Sequence, residues 1–467
     1  MRNLKRTLSL ALAAIMLVGM MVVSASAASY NNLTDKDEIV NKDAVSMLVS
    51  LGIIEGKPDG SYGPTENVDR AQMAKMLSVI MNKGVDNSAL YQSVNSGLVD
   101  VNTNWAKGHI NYCYTTGIIA GRGNGKFDPS ATVTALEAAK MLLVAVGYDP
   151  AIEGFEGADW AINVSVRADE QGIFEGFTKD LSAPLNRDDA ALLIYNALDV
   201  EMIQSYTTNN YPIVYSDHRT ILSDKYGVIK VEGVVTANEW AILDDDTDTA
   251  LQEGKTRIYN PDGILSTTGN TAVAQDSSAN VKTQVFNVST PVDMLGKAVT
   301  MYVKKTTILA DSTVYGAPVV SDVNTVIETG EKVTGGDSKD DDSLAALLKG
   351  TGLATDKATE YYHNYEEVAI DSADVDDIMN VKGAALTVID NDNDGYVNYV
   401  ISVEKSLTHV SGVSSKNETT TLYGLPGDDV IDNEDIVTTA TDLTKGDVVL
   451  VVQYGGRTYV EEPKTVT

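Results

Sequence analysis

A short unit recurs three times between residues about 40 and 200: a helix ending in glycine, a Gly-Ile-Ile step, a tight turn, and a second helix opened by a capping residue. The first copy reads GIIEG (52–56), PDGSYGP (58–64) and VDRAQMAKML (68–77). The second reads GIIAG (117–121), GNGKFDP (123–129) and VTALEAAKML (133–142). The third, more diverged, reads GIFEG (172–176), KDLSAP (179–184) and LNRDDAALLI (185–194). A unit this small cannot bury a core alone, so the copies must pack on one another.

Local signals agree with a helical reading. Asp69 precedes Gln72 by three, Thr134 precedes Glu137, and Asn186 precedes Asp189, the spacing of a capping box. Behind each cap an apolar stripe runs at i, i+3, i+4, i+7: Met73, Met76, Leu77, Ile80; Ala138, Met141, Leu142, Ala145; Ala190, Leu193, Ile194, Ala197. Val45, Leu48 and Leu51 precede Gly52, and Trp105, Ile110 and Tyr114 precede Gly117, so each first helix is expected to end on a left-handed glycine cap.

The order Asp, Trp-Ala, Gly-Ile-Ile-x-Gly, turn with Phe or Tyr and Pro, then a capped helix resembles the S-layer homology (SLH) domain. The second copy matches best, through Asp100, Trp105-Ala106, the 117–121 step, Phe127 and Pro129, and the three copies cover about 34–200. The resemblance implies a pseudo-three-fold helical bundle that holds a secondary cell wall polymer noncovalently, often at a pyruvylated sugar, on a Gram-positive-type envelope. It carries over to Arg70 and Arg187, with Asp35, Asp100, Trp105 and Trp160 as groove walls. A ketal carboxylate suits a helix N-terminus and an arginine fork. The middle copy has Ala135 at the arginine position, so two grooves at most are expected to hold the arginine, with the middle one lacking it. The first copy also lacks the tryptophan and has Asp69 for the usual threonine, and the third lacks the Asp-Gly turn.

Residues 1–27 read as a secretory signal: Arg2, Lys5 and Arg6, an apolar run over 8–23, and Ala25-Ser26-Ala27 as the cleavage site, with the mature chain starting at Ala28. The run is short for a membrane anchor, and no later stretch is long and apolar enough to span a bilayer, so a soluble, exported protein without membrane association is expected. The formal charge is −31, from 35 Lys plus Arg against 66 Asp plus Glu, and loss of the three leader cations takes it to −34. That argues against nucleic acid as a partner, which needs clustered cations. Cys113 is the single cysteine, so no intrachain disulfide forms, and its helical setting reads as a small buried hydrophobe. The four histidines show no zinc-like spacing.

After about residue 200 the texture turns to short alternating strands, among them 228–235, 298–304, 385–389, 397–403 and 448–454. A fainter repeat pairs KVEGVVTAN (230–238) with HVSGVSSKN (409–417), and VDMLGKAVTMYVKK (292–305) with TDLTKGDVVLVVQY (441–454). The fold class is therefore multidomain: an α-rich triplet followed by all-β modules, as small barrels or sandwiches. The divisions are 1–27 signal, 28–86, 87–150 and 151–205 for the three repeats, 206–322 for a first β module, 323–405 for a middle segment, and 406–467 for a second β module. A flexible insert is expected at 334–343 (TGGDSKDDDS) and a short helix at 344–348.

DNDNDGYVN (390–398) reads two ways. Asp390, Asp392 and Asp394 with Gly395, and Asn398 further on, match the first half of a calcium loop, although position 12 is Ile401 rather than Glu. The same residues read as an Asp-Gly hairpin turn between strands, which is the favoured reading. No nucleophile elbow, zinc-helix motif or phosphate loop occurs, carboxylate pairs are too common here to mark a glycosidase, and there are only three tryptophans. The chain is thus expected to bind rather than catalyse, with no cofactor required and calcium as the one candidate ion. The leading reading is a wall-anchored S-layer or surface-coat component that self-associates. The alternatives are an SLH-anchored adhesin and a surface enzyme of unrecognised type.

Overall fold

A computed structural model describes residues 30–243, 250–263, 281–304, 312–328, 344–368, 384–425, 429–438 and 442–463. The signal segment 1–27 and the insert 334–343 lie outside the described residues. The chain divides near residue 230 into two units.

Among the described residues, six α-helices build the N-terminal unit: α1 (Lys42–Ser50), α2 (Arg70–Met81), α3 (Lys107–Thr115), α4 (Ala135–Val146), α5 (Trp160–Glu170) and α6 (Arg187–Leu198). The second helix of each repeat is started by its cap. Asp69 and Thr134 close full capping boxes with Gln72 and Glu137, and Asn186 accepts from the Asp189 N–H at 2.7 Å. Gly52, Gly117 and Gly172 end the first helices at φ of 70–80°. The stripe residues are buried, except that Met76 is half-buried. Each fully buried Leu or Ile contributes about 1.5–3 kcal/mol of burial.

The repeats close into a ring. The Val68 N–H donates to the Leu185 carbonyl (2.8 Å), Leu185 N–H to Val133 (2.7 Å), and Val133 N–H back to Val68 (2.9 Å). Three hydrogen bonds thus run head to tail around a pseudo-three-fold axis. Outside them, α2 packs on α3, α4 on α5, and α6 on α1, so each second helix serves the next repeat rather than its own. Cys113 is buried, donates weakly to the Ala74 carbonyl, and has its thiol pushed far up by burial, which makes it inert packing.

Strands β1 (Ile203–Tyr206) and β2 (Pro212–Val214) pair as an antiparallel ribbon after α6, still within the N-terminal unit. The C-terminal unit is built on sheets. Strands β3 (Val228–Asn238), β4 (Thr256–Tyr259), β5 (Thr283–Phe286), β6 (Ala298–Lys304) and β7 (Val314–Val320) form a sheet ordered β5-β4-β3-β6-β7. A second sheet, β10-β9-β12-β11-β8, uses β8 (Thr325–Glu328), β9 (Glu360–His363), β10 (Glu366–Glu367), β11 (Ala384–Asp390) and β12 (Tyr399–Glu404), and the helix α7 (Leu344–Leu348) packs against it. The third, β15-β14-β13-β17-β18-β16, uses β13 (Ser406–Ser414), β14 (Thr419–Leu422), β15 (Val430–Asp432), β16 (Ile436–Thr438), β17 (Val448–Tyr454) and β18 (Arg457–Glu461). Each sheet has two ends, so the described strands are open sheets and close no barrel.

The order of the first sheet recurs in five of the six strands of the third, with β3 matching β13, β4 matching β14 and β6 matching β17, and β16 added at the far edge. They also share a tie. Val235 exchanges hydrogen bonds with Gly296 and Lys297, and Val410 does the same with Gly446 and Asp447. The sequence alignment of 230–238 with 409–417 pairs Val410 with Val231 instead. The structural match is four residues along, and an even slide keeps the same side chains facing inward. Gly296 (φ 80°) is needed twice over, because a Cβ there would meet Ile389 and Tyr399 at 3.0–3.1 Å.

Candidate anion groove

Arg70 opens α2, where its side chain leaves the helix start and crosses to the next repeat. Its Nε donates to the Phe127 carbonyl and an Nη to the Ala120 carbonyl, both at 2.8 Å, while the guanidinium lies 4.3 Å over the Phe127 ring. Arg70 is only 5% exposed, and no carboxylate comes within ion-pair distance of it among the described residues. A buried cation held by two carbonyls and an aromatic face, with Glu137, Asp128 and Asp100 acting on it only from beyond ion-pair distance, is costly to bury.

The space beside it is a cavity of about 410 Å³. Arg70, Arg122, Lys140, Glu137, Trp160 and Ala120 are among its walls, drawn from all three repeats. Arg122 is paired with Glu137 at 2.7 Å. Lys140 donates to the Phe155 carbonyl at 2.5 Å and lies 5.6 Å from the Trp160 ring centre. Burial lowers the basicity of Arg70, and the Arg122 charge lowers it further. Lys140 is likewise lowered by burial and, in part, by Arg70, against the nearby Glu156. Burial is the main cause in both, and the cavity wall sets three cations, Arg70, Arg122 and Lys140, against two acids, Glu137 and Glu156.

This corrects the expectation for the middle groove. Assigning each arginine to its own repeat leaves the middle one without an arginine because of Ala135. Instead the arginine of one repeat serves the next. Arg70 supplies the middle groove, Arg187 the first, and the groove without an arginine is at the third repeat, beside Ala135.

The first groove repeats the geometry with different charges. Arg187 donates from Nε to the Tyr62 carbonyl at 2.8 Å and from an Nη to the Glu55 carbonyl at 3.3 Å, 4.7 Å over the Tyr62 ring. Here Lys75, in the place of Lys140, has Glu55 at 3.8 Å, and Lys57, in the place of Arg122, pairs with Glu66. In the third copy Phe177 and Leu192 replace those cations, and Lys179 is paired with Asp189 at 2.6 Å.

Asp35 and Asp100 clasp turns. Asp35 accepts from Tyr62 and Gly63 N–H at 2.7 and 2.8 Å, and Asp100 from Phe127 and Asp128 N–H at 2.8–3.1 Å. Partial burial pushes each carboxyl up, but those N–H groups outweigh it and hold both below the ordinary range. The aspartates therefore shape the turn whose carbonyl grips the arginine. Trp160 stands in the cavity wall, whereas Trp105 is exposed and packs edge-on against His109. Arg122 and Lys140 escaped the sequence reading. Aligning the three copies column by column shows cations recurring at both places in the first two, a signal that could have found them.

At the hairpin between β11 and β12, Asp390, Asp392 and Asp394 bring carboxylate oxygens within 4.8 Å of one another. Asp390 is buried and accepts from the N–H groups of Asp392, Asn393 and Gly395. Asn398 braces the loop by accepting from Asn391 N–H at 2.6 Å, and Asn391 in turn donates to the Gly296 carbonyl at 2.8 Å. Three clustered hard oxygens fit calcium, while the Ile401 side chain, in the last position of the loop, offers no oxygen.

The sequence model of the S-layer homology domain matches residues 32–74 and 99–139. The chain is similar to a "Cell surface protein" of Thermoanaerobacter kivui, 26% identical over 394 residues, which are 84% of this chain and 44% of that protein. It is 33% identical to an "S-layer protein" of Bacillus licheniformis over 113 residues, 24% of this chain and 12% of the other. It is 31% identical to an "Amylopullulanase" of Thermoanaerobacterium thermosulfurigenes over 172 residues, 34% of this chain and 9% of that enzyme. The chain spans less than half the length of these relatives.

Proposed function

With S-layer homology domains in the N-terminal unit as the premise, we propose that this is an exported surface protein held noncovalently on a cell wall polymer, acting as S-layer or coat material and not as an enzyme. The observation that carries the reading is Arg70: a buried guanidinium with no carboxylate at ion-pair distance among the described residues, in the wall of a cavity that also holds Lys140, Trp160 and the acids Glu137 and Glu156. An acidic polysaccharide bearing a carboxylate, such as a pyruvylated sugar, matches that chemistry. Arg70 and Lys140 meet the anion, and Trp160 offers a face to the sugar ring. A polymer presents many copies of such a group, so a modest single contact becomes firm when many chains share one wall. The likeness to an amylopullulanase covers a small part of that enzyme, as expected where an anchor is shared and the remainder differs.

The C-terminal unit supports a structural role through its duplicated sheet order, and self-association into a lattice belongs to this proposal. So does calcium at Asp390, Asp392 and Asp394, as a local brace of the hairpin and not as a requirement for anchoring.

The test is sedimentation of the full mature chain with native wall sacculi and with sacculi stripped of their secondary polymer. Retention on native walls alone is the expected result. Equal retention on both, or none on either, overturns the anchoring reading.

A further inference from the structure

We propose that the residue before the last glycine of the Gly-Ile-Ile-x-Gly step decides which groove takes an anion, and that Ala120 makes the middle groove the competent one. The inference rests on the anchoring reading above.

That position is Glu55 in the first copy, Ala120 in the second and Glu175 in the third. It lies at the heart of the groove, because its own carbonyl accepts the crossing arginine: Ala120 from Arg70, Glu55 from Arg187. In the first groove the Glu55 carboxylate reaches the lysine on the facing helix, with Lys75 Nζ at 3.8 Å. The matching Lys140 meets a carbonyl and an indole ring instead, and the nearby Glu156 in the cavity wall makes no ion pair with it among the described residues. The first groove therefore carries its own anion where a ligand carboxylate would sit. The Glu55 pair is largely exposed and adds little to stability. Its consequence is for binding, since a fixed like charge repels an incoming one and occupies its cation. The third groove has Glu175 and no arginine, so it is closed twice over.

Ala120 is exposed, so a longer side chain there meets solvent and not the core. The test measures apparent affinity of the full chain for native sacculi in the parent and four variants, with stripped sacculi as the control for the parent. Ala120→Glu is expected to weaken binding about tenfold at low salt. Ala120→Gln, of the same shape without charge, should stay within about threefold of the parent. Raising the salt should narrow the Ala120→Glu deficit, because the effect is Coulombic. With the middle groove disabled by Arg70→Ala, adding Glu55→Ala should recover binding by about threefold or more. Parent-like binding of Ala120→Glu, equal weakening by Glu and Gln, or no recovery from Glu55→Ala overturns the inference. Failure of the parent to prefer native over stripped sacculi overturns the anchoring reading itself.

Discussion

The first and middle grooves have one backbone and two electrostatic characters. Both receive an arginine across a repeat boundary, both grip it with a main-chain carbonyl and an aromatic ring, and both shape the turn with an aspartate. They part company in burial and in their acids. Arg70 is buried while Arg187 is half-exposed, and Lys140 escapes the carboxylate that Lys75 meets. The lesson is that a repeat conserves the parts that build the groove and lets the parts that charge it drift. A copy can keep the fold and change its charge.

The sharpest way to break the comparison is to remove each arginine. Arg70→Ala should cost about a hundredfold in wall affinity, ~2.7 kcal/mol, while Arg187→Ala should cost no more than about threefold. Arg70→Lys keeps the charge without the fork and should recover part of the loss, which separates lost recognition from misfolding. Equal losses from Arg70→Ala and Arg187→Ala would make the two grooves equivalent.

The aromatic walls give a smaller contrast. Trp160→Ala should weaken binding about fivefold and Trp105→Ala should leave it unchanged, because Trp160 stands beside the cavity cation Lys140 while Trp105 packs against His109. Sedimentation isotherms of the two variants check this.

The smallest expected effect concerns pH and the first groove's surroundings. His109 is buried on α3, with Ser78 Oγ at 2.5 Å from Nδ1 and Asp86 at 3.6 Å from Nε2, and Lys75 nearby. Burial holds its pKa below the ordinary 6.5, against the pull of Asp86 and with a further push down from Lys75. The fold therefore favours the neutral ring. The stability it contributes is present above the unfolded value of 6.5 and is lost as pH falls through the lower folded value. Melting temperature should drop over that window, and His109→Gln should flatten the drop. A profile unchanged by the substitution would assign the pH dependence to other groups.

Local rules made much of the molecule legible. The caps at Asp69, Thr134 and Asn186, the left-handed glycines, the stripes, the strands at Ala298–Lys304 and Val448–Tyr454 and the helix at Leu344–Leu348 follow from short-range preferences, which do not depend on neighbours far away in the chain. The hairpin at Asp390 was equally readable, because Asp and Gly impose their turn through their own backbone. The groove was legible only in part. Arg70 could be picked out by its place in a repeat, but its destination could not. That depends on the ring formed by Val68, Leu185 and Val133, in which each helix start points at a neighbour. The same limit explains the duplicated sheets. Their likeness shows in the sequence, yet the match of Val235 with Val410 needs the pairing partners at Gly296 and Gly446.

By itself, then, the sequence determined that this chain is a threefold helical repeat followed by strands, which residues start and stop each element, and that one column of the repeat carries arginine. Only the tertiary structure decided which groove each arginine fills, that Asp35 and Asp100 are spent on backbone N–H groups, and that Lys140 lies free of the acid that meets Lys75. Element boundaries come from interactions between residues a few positions apart. A charged pocket is a sum over side chains from three repeats, and the distances that set that sum exist only after the ring has closed.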